Sequence, residues 1–442
     1  MTRIQEREHP LLPMYYPIKV FDNGAEKCSD RLVTQTNPQD GFRFVKEFQQ
    51  TEHGRTLIRN SGARGEKDLV EKPNLPENQI FRSNNIKSNF AMVSQQPGKV
   101  ISERIVVVEQ QYFFHVMQLL NRQESEDKIT QYAKEGRPFL FAINFPGTGA
   151  FVLTPEEARA NNIFFNINGI TNHPLRKEHL RHFSFTAKPV SLTVYQEAFE
   201  KVIAALKHGD TYLLNLTFPT KLETDLSPEE IFLYSQAKYK LMAGGEFVVF
   251  SPETFIRIQH NRIFSFPMKG TISATIPDAA EKILADRKEL YEHNTIVDLI
   301  RNDLAMVSTN VKVVRFRYIE RIKSLEGDLL QVSSEISGEL PDDYLSRLGT
   351  ILFTLLPAGS VTGAPKKRTV EIILEAESYE RGFYTGIVGY FDGRTLDSAV
   401  MIRFIEFTAK GPVYKSGGGI TALSDLKSEY EEMIQKVYVP VV

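Results

Sequence analysis

The chain has no tryptophan, one cysteine and no excess of charge of either sign: 53 Lys and Arg face 55 Asp and Glu, a formal net charge of −2 over 442 residues. Each shortage excludes something. A single thiol, Cys28, allows no internal disulfide framework and suits a reducing compartment. A near-neutral chain of mixed sign has no bulk attraction for nucleic acid or anionic lipid. No apolar run approaches the roughly 18 residues of a spanning helix. The opening "MTRIQEREHPLLPMYYPIKV" lacks the apolar centre of a secretory leader. The expectation is a cytoplasmic protein with no membrane and no nucleic-acid partner.

Hydrophobic residues make up 42% of the chain, enough for a large core. They are unevenly spread. Residues 1–116 are rich in Asn, Gln, Pro and charge, as in "NSGARGEKDLVEKPNLPENQ", and show little periodicity before "KVISERIVVVEQQYFFHV". They read as a loose, partly disordered extension, either an appendage or a start codon placed too early. The functional unit is expected over 117–442.

Within that unit, "FLFAINF" (139–145) and "NNIFFNING" (161–169) read as buried strands. Phe199, Val202, Ile203 and Leu206 recur at helical spacing, which predicts an amphipathic helix over 195–208. "TYLLNLTF" (211–218) reads as a strand, and Ser227, Pro228 and Glu230 mark a helix start. "GEFVVFS", "TFIRIQ" and "RIFSFPMKGT" read as three successive strands, and 279–302 as one unbroken helix. Further helices are predicted over 342–352, 364–380 and 425–438, among the strands "LLQVSSEISGEL", "FYTGIVGYF", "DSAVMIRFIEF" and "PVYKSGGG". Adjacent strands alternating with long helices predict an α+β domain with antiparallel sheet.

Several stretches carry chemistry. In the final helix Glu429 and Glu432 share a face, with Lys436 one turn on; in the long helix Glu289 and Glu292 do the same. Each pattern alone reads first as a solvated helix face. Two such carboxylate pairs together could hold one divalent cation, and all-oxygen ligands suit magnesium. Asp298, Arg301 and Asp303, interleaved with Ile and Leu, must be paired wherever the helix is buried. "LLPAGSVTGAPKKR" (355–368) crowds small residues before a helix, where backbone N–H groups and the helix dipole favour an anion; an ordinary turn is the plainer alternative. Gly417, Gly418 and Gly419 read as a second glycine-rich turn. Arg403 is a lone cation in an apolar strand, suited to a buried ion pair or to bidentate carboxylate binding. Lys269 in "FSFPMKGTISA" stands among apolar residues, a proline and a glycine.

"FSPETF", "PMKGT", "EHNTIVDLIRNDL", "PAGSVTGAPK", "ERGFYTGIVGYF", "MIRF", "SGGGI" and "EYEEMIQK" occur in this order. Together, over residues 130–440, they resemble the chorismate-using enzymes: anthranilate synthase component I, aminodeoxychorismate synthase component I, isochorismate synthase and salicylate synthase. The resemblance implies a sandwich of antiparallel sheets with helices outside. It implies magnesium on Glu292, Glu429 and Glu432 with Glu289 nearby. Thr362 and Gly417–Gly419 would contact substrate carboxylates, with Arg403 and Lys436 as cationic partners and Glu253 as general acid.

Members that add water carry a lysine in the strand corresponding to "TYLLNLTF", where this chain has leucine, so water is disfavoured as nucleophile. Anthranilate synthases carry alanine where "PMKGT" has Lys269, whereas aminodeoxychorismate synthases carry the lysine. The resemblance therefore implies an aminodeoxychorismate synthase component I, in which the lysine amine adds to C2 of chorismate before ammonia adds at C4. Desolvation by Phe264, Phe266 and Met268 is expected to lower the pKa of that amine. Ammonia is expected from a glutamine amidotransferase subunit, since Cys28 lies outside the matching region. Anthranilate synthesis, and an inactive chorismate-binding subunit, are the alternatives. Two departures stand out: Gln331 replaces a frequent histidine, and "SGGGI" a more usual Gly-Ala-Gly pattern.

Overall fold

The computed structural model describes residues 119–174, 181–322 and 328–441, and upstream two short antiparallel pairings, Val20–Phe21 with Ile105–Val106 and Gln49–Gln50 with Thr56–Leu57. The chain divides into two compact units, Met1–Gln111 and Tyr112–Val442. Expectations about disorder before residue 117 lie outside the described residues.

In the second unit the described strands form two nine-stranded antiparallel sheets. In the first sheet Leu213–Thr224 pairs with Gly411–Ile420, which pairs with Phe404–Thr408, and Phe247–Ser251 follows. In the second, Met268–Ser273 and Arg262–Ser265 both pair with Leu329–Glu339, and Thr254–Gln259 and Leu396–Val400 lie beyond. The sheets pack face to face. Alternation along Phe139–Ile143 shows how: Leu140 and Ala142 join Ile163, Tyr239, Leu241 and Phe404 between the sheets, whereas Phe139, Phe141 and Ile143 face a separate core under the helices. The helix Arg287–Ala305 covers the second sheet through Ile296, Val297, Ile300 and Leu304. The helices Leu192–His208, Lys366–Ala376 and Leu426–Gln435 cover the first. The α+β sandwich with outer helices is as expected.

Three departures from the sequence expectations position the site. The strand expected over "RIFSFPMKGT" is broken, because Pro267 has no N–H to donate; Arg262–Ser265 ends and Met268–Ser273 begins anew. The expected unbroken helix over 279–302 is two, Ala279–Ala285 and Arg287–Ala305. Asp286 is extended and its carboxylate accepts from the Glu289 N–H at 2.9 Å, capping the second helix. The stretch "DSAVMIRFIEF" is also two strands, Leu396–Val400 in the second sheet and Phe404–Thr408 in the first. Arg403 lies at the crossing, at φ 55°, rather than within a strand. The chain also crosses between the sheets from Phe247–Ser251 to Thr254–Gln259, and Glu253 lies at that crossing.

Truncating the inter-sheet core is expected to cost far more than trimming the surface. Leu241→Ala should lower the unfolding free energy by about 2–5 kcal/mol, and Ile170→Ala, at an exposed position, by less than about 0.5 kcal/mol. Urea denaturation of both variants measures the difference.

Candidate active site

A cavity of about 320 Å³ opens where the two crossings meet, a size suited to a small organic ligand. The Val400 N–H donates to the Glu253 carbonyl at 3.2 Å, so the crossings are tied together. Among the residues named from the sequence, Glu253, Lys269, Thr362, Arg403, Gly417, Gly418, Gly419, Glu432 and Lys436 line this cavity. Glu289, Glu292 and Glu429 do not line it but stand beside it.

Lys269 owes its direction to a bulge. The register between Met268–Ser273 and Leu329–Glu339 shifts between Met268 and Thr271, and Gly270 takes φ 82°. A Cβ on Gly270 would lie 3.0 Å from Glu289 Oε2, so strain and space both call for glycine. The bulge delivers the Lys269 ammonium to Glu292, Nζ to Oε2 3.1 Å, and to within 3.4 Å of where a Cβ on Gly419 would lie. Here the expectation of a lowered pKa is corrected. Burial pulls the ammonium down, but Glu292, with Glu432 and Glu289 behind it, outweighs burial and raises the pKa above the ordinary lysine value. Phe266 and Met268 line the cavity; Phe264 does not, and stacks on Phe266 under the Arg262 guanidinium.

The acidic residues face one another across two helices. Glu292 and Glu429 are buried. The Ser424 hydroxyl donates to Glu429 at 2.7 Å, and Lys436 pairs with Glu432 at 2.6 Å while donating to the Gly417 carbonyl at 2.9 Å. Burial, together with Glu432 and Glu292, raises the Glu429 pKa against the pull of Ser424 and Lys288. Burial and Glu292 likewise raise Glu289. Glu432 goes the other way: burial opposes ionisation, but Lys436, Lys269 and Lys288 together lower its pKa. Among the described residues no three His, Cys, Asp or Glu side chains converge closely enough to chelate an ion as they stand. The donor set nevertheless fits a hard cation: four carboxylates on two facing helices, two of them buried.

Burial raises the Glu253 pKa above the ordinary carboxylate range, although the Ser360 hydroxyl donates to it and Lys269, Arg403 and Lys436 favour its ionised form. That is the protonation a general acid needs. Arg403 makes no ion pair with a carboxylate among the described residues; its guanidinium lies over the Tyr438 ring at 5.3 Å. A guanidinium in a cavity wall with no carboxylate partner among the described residues suits an anionic ligand.

Two loop expectations are corrected. Gly417–Gly419 form no turn but lie inside the strand Gly411–Ile420, opposite Thr217, Leu216 and Asn215. They permit close approach: a Cβ on Gly418 would lie 3.5 Å from Glu432, 3.6 Å from Glu429 and 3.7 Å from Lys436. The cavity is lined by Ala358–Thr362, not by the N-terminus of the helix Lys366–Ala376. The Thr362 hydroxyl donates to the Ala358 carbonyl at 2.7 Å, and Gln331 lines the wall with its amide donating to Ser333 at 3.3 Å.

Residues 149–441 match the chorismate binding enzyme family. The chain belongs to this family. An uncharacterised PabA-like protein of Pasteurella multocida is 48% identical over 71% of this chain and 97% of its own length. The anthranilate synthase component 1 of Archaeoglobus fulgidus is 35% identical over 55% of this chain and 61% of its own. The aminodeoxychorismate synthase component 1 of Salmonella typhimurium is 34% identical over 55% of this chain and 56% of its own. In structure, the menaquinone-specific isochorismate synthase MenF of Escherichia coli superposes with a TM-score of 0.56 at 18% identity, over 72% of this chain and 82% of that one. That similarity establishes the shared fold.

Other groups around the cavity were not evident from sequence. Lys366 pairs with Asp303 at 2.8 Å and donates to the Leu355 carbonyl at 2.8 Å, clamping the 355–362 loop to the acidic helix. The pairing expected of Asp303 is thus met from another helix, whereas Arg301 pairs with Asp298 on the surface at 2.9 Å. Arg381, wholly enclosed, pairs with Glu377 at 2.6 Å and donates to the carbonyls of Val361 and Asn215. No spacing rule links these residues; only "ERGFYTGIVGYF" hinted at Arg381. His293, next to Glu292, is buried with Nε2 2.6 Å from Ser334 Oγ.

His293 sets a pH limit. Burial, with Arg317 and Lys269 adding to it, lowers its pKa from 6.5 to about 4. Its neutral form therefore contributes stability that is complete above pH 6.5 and lost as the pH falls toward 4. At about 1.36 kcal/mol per pKa unit, that contribution is on the order of 3 kcal/mol. Stability of His293→Gln measured by urea unfolding should fall less steeply than wild type between these limits.

Proposed function

We propose that this chain is an aminodeoxychorismate synthase component I, converting chorismate and ammonia to 4-amino-4-deoxychorismate for 4-aminobenzoate and folate synthesis. The observation that carries the reading is Lys269, whose amine a bulge points into the cavity beside the acidic helices and opposite Glu253. Members of the family that make anthranilate resemble this stretch but lack the amine.

In the proposed reaction the ring carboxylate of chorismate lies toward Glu292, Glu429 and Glu432, with Glu289 in support, and the second carboxylate toward Arg403, Thr362 and the glycine strand. Magnesium held by the glutamates supplies the positive charge that anchors the ring carboxylate and relieves the negative field beside Lys269. Lys436 keeps Glu432 in place. The Lys269 ammonium first gives up a proton to solvent. Its neutral amine then bonds to C2, both ring double bonds shift toward C4, Glu253 gives its proton to the 4-hydroxyl, which leaves as water, and the new C2 ammonium passes its surplus proton to the Glu253 carboxylate. Ammonia then bonds to C4, both double bonds shift back, the C2–N bond breaks, and the surplus proton of the C4 ammonium passes to the departing lysine amine. Leu213 lines the wall where a lysine would be needed to activate water.

Ammonia comes from a glutamine amidotransferase subunit in this reading, and the PabA-like name of the Pasteurella relative is consistent with such a pairing. We place the catalytic unit at 117–442, working in the cytoplasm. No described helix is long and apolar enough to cross a membrane. The identity to an anthranilate synthase component 1 supports a second reading, anthranilate formation.

Product identification separates the two. Wild type with chorismate, ammonium, magnesium and the lyase that releases 4-aminobenzoate should yield 4-aminobenzoate, and Lys269→Ala should lose at least a hundredfold of that rate. Anthranilate from wild type, retained in full by Lys269→Ala, would overturn the proposal.

A further inference from the structure

Three ammonium groups answer the four glutamates beside the cavity, and they differ in freedom. Lys269 is held in its bulge and Lys436 is tied to Glu432 and to the Gly417 carbonyl. Lys288 is the third. Its side chain is 57% exposed, and Nζ stands between the two helices, 3.8 Å from Glu292 Oε1 and 3.9 Å from Glu429 Oε1. These are the two buried carboxylates of the set, one from each helix. A monovalent cation thus bridges two of the groups that would hold a divalent cation in the reading above.

We propose that Lys288 is an internal competitor for the metal: its ammonium links Glu292 to Glu429 when no divalent cation is bound and withdraws into solvent when one binds. The proposal rests on the magnesium reading above and adds to it a residue that sets the affinity. The physical basis is simple. Two buried carboxylates across a helix–helix junction repel each other unless a cation lies between them. A flexible exposed lysine supplies that cation at small entropic cost, and its long stem lets it leave without moving the backbone. The ion must then displace an existing attraction, so Lys288 weakens binding and keeps the empty site from springing apart.

The test uses the full chain and manganous ion, counted as the free ion by its solution EPR signal, with magnesium as competitor. Lys288→Met should bind the ion about threefold to tenfold more tightly than wild type, the range expected from losing one or two partly exposed ion pairs. Lys288→Arg, which keeps the charge and reach, should return affinity to within about twofold of wild type. Arg287→Met controls for net charge: Arg287 makes no ion pair among the described residues, and its loss should change affinity by less than about twofold. Without metal, Lys288→Met should melt at a lower temperature than wild type, and saturating ion should raise its melting temperature by more.

Equal or weaker binding by Lys288→Met, or equal tightening by Arg287→Met, overturns the proposal while leaving the magnesium reading intact. Absence of ion binding in wild type, with Glu292→Gln indistinguishable from it, overturns both.

Discussion

Carboxylates cannot share a half-buried junction without cations between them, and that constraint organises this site. Glu289 and Glu292 come from one helix, Glu429 and Glu432 from another, and the helices belong to opposite sheets of the sandwich. Lys269, Lys288 and Lys436 answer them. The same field that draws Lys269 into the cavity keeps it protonated, so its reactivity depends on how much negative charge remains beside it. A lysine walled only by phenylalanine and methionine would be freed by desolvation; this one is governed by Glu292. Lys269 and the four glutamates are therefore one electrostatic unit, and neither part can be altered without the other.

The backbone makes that unit possible at a place where regular structure gives out. Two of the chain crossings between the sheets meet at the cavity and bring Glu253 and Arg403 with them. Arg403 takes a left-handed conformation that a non-glycine residue adopts only where its surroundings enforce it. The bulge at Met268–Thr271 turns one side chain out of the pleat, and the glycine strand opposite leaves room for it. Buried pairs then fix the loop that carries Ser360 and Thr362: Lys366 with Asp303 from one side, Arg381 with Glu377 from the other. Each lies outside the proposed chemistry, yet each holds a segment that the chemistry needs.

Much of this was legible in the sequence, and the limits have physical causes. Strands buried on both faces, such as Phe139–Ile143, announce themselves by apolar density. The Ser227 capping box was plain, while the equivalent box of Asn121 and Glu124 at the start of Arg122–Lys134 passed unnoticed in a polar stretch. The long strand Thr309–Ile322 is not evident from sequence because charged and apolar residues are mixed along it and none of them is buried. Asp286 was hidden in an otherwise helical pattern, since an aspartate both ends one helix and caps the next. The carboxylate pairs were readable from their three-residue spacing. Their convergence, and the lysine from the same helix that bridges them, is a tertiary fact with no local trace. The glycine triplet suggested a turn because glycines often make one, and only pairing with Leu213–Thr224 reveals that absent side chains, not special torsions, are its purpose.

The central claim is that the Lys269 nitrogen bonds to the substrate ring. Enzyme with magnesium and chorismate, kept free of ammonia, acid-quenched and digested, should yield a Lys269 peptide heavier by one chorismate less one water. A Lys269 peptide of unchanged mass, from enzyme that still forms 4-amino-4-deoxychorismate once ammonia is supplied, would contradict the account.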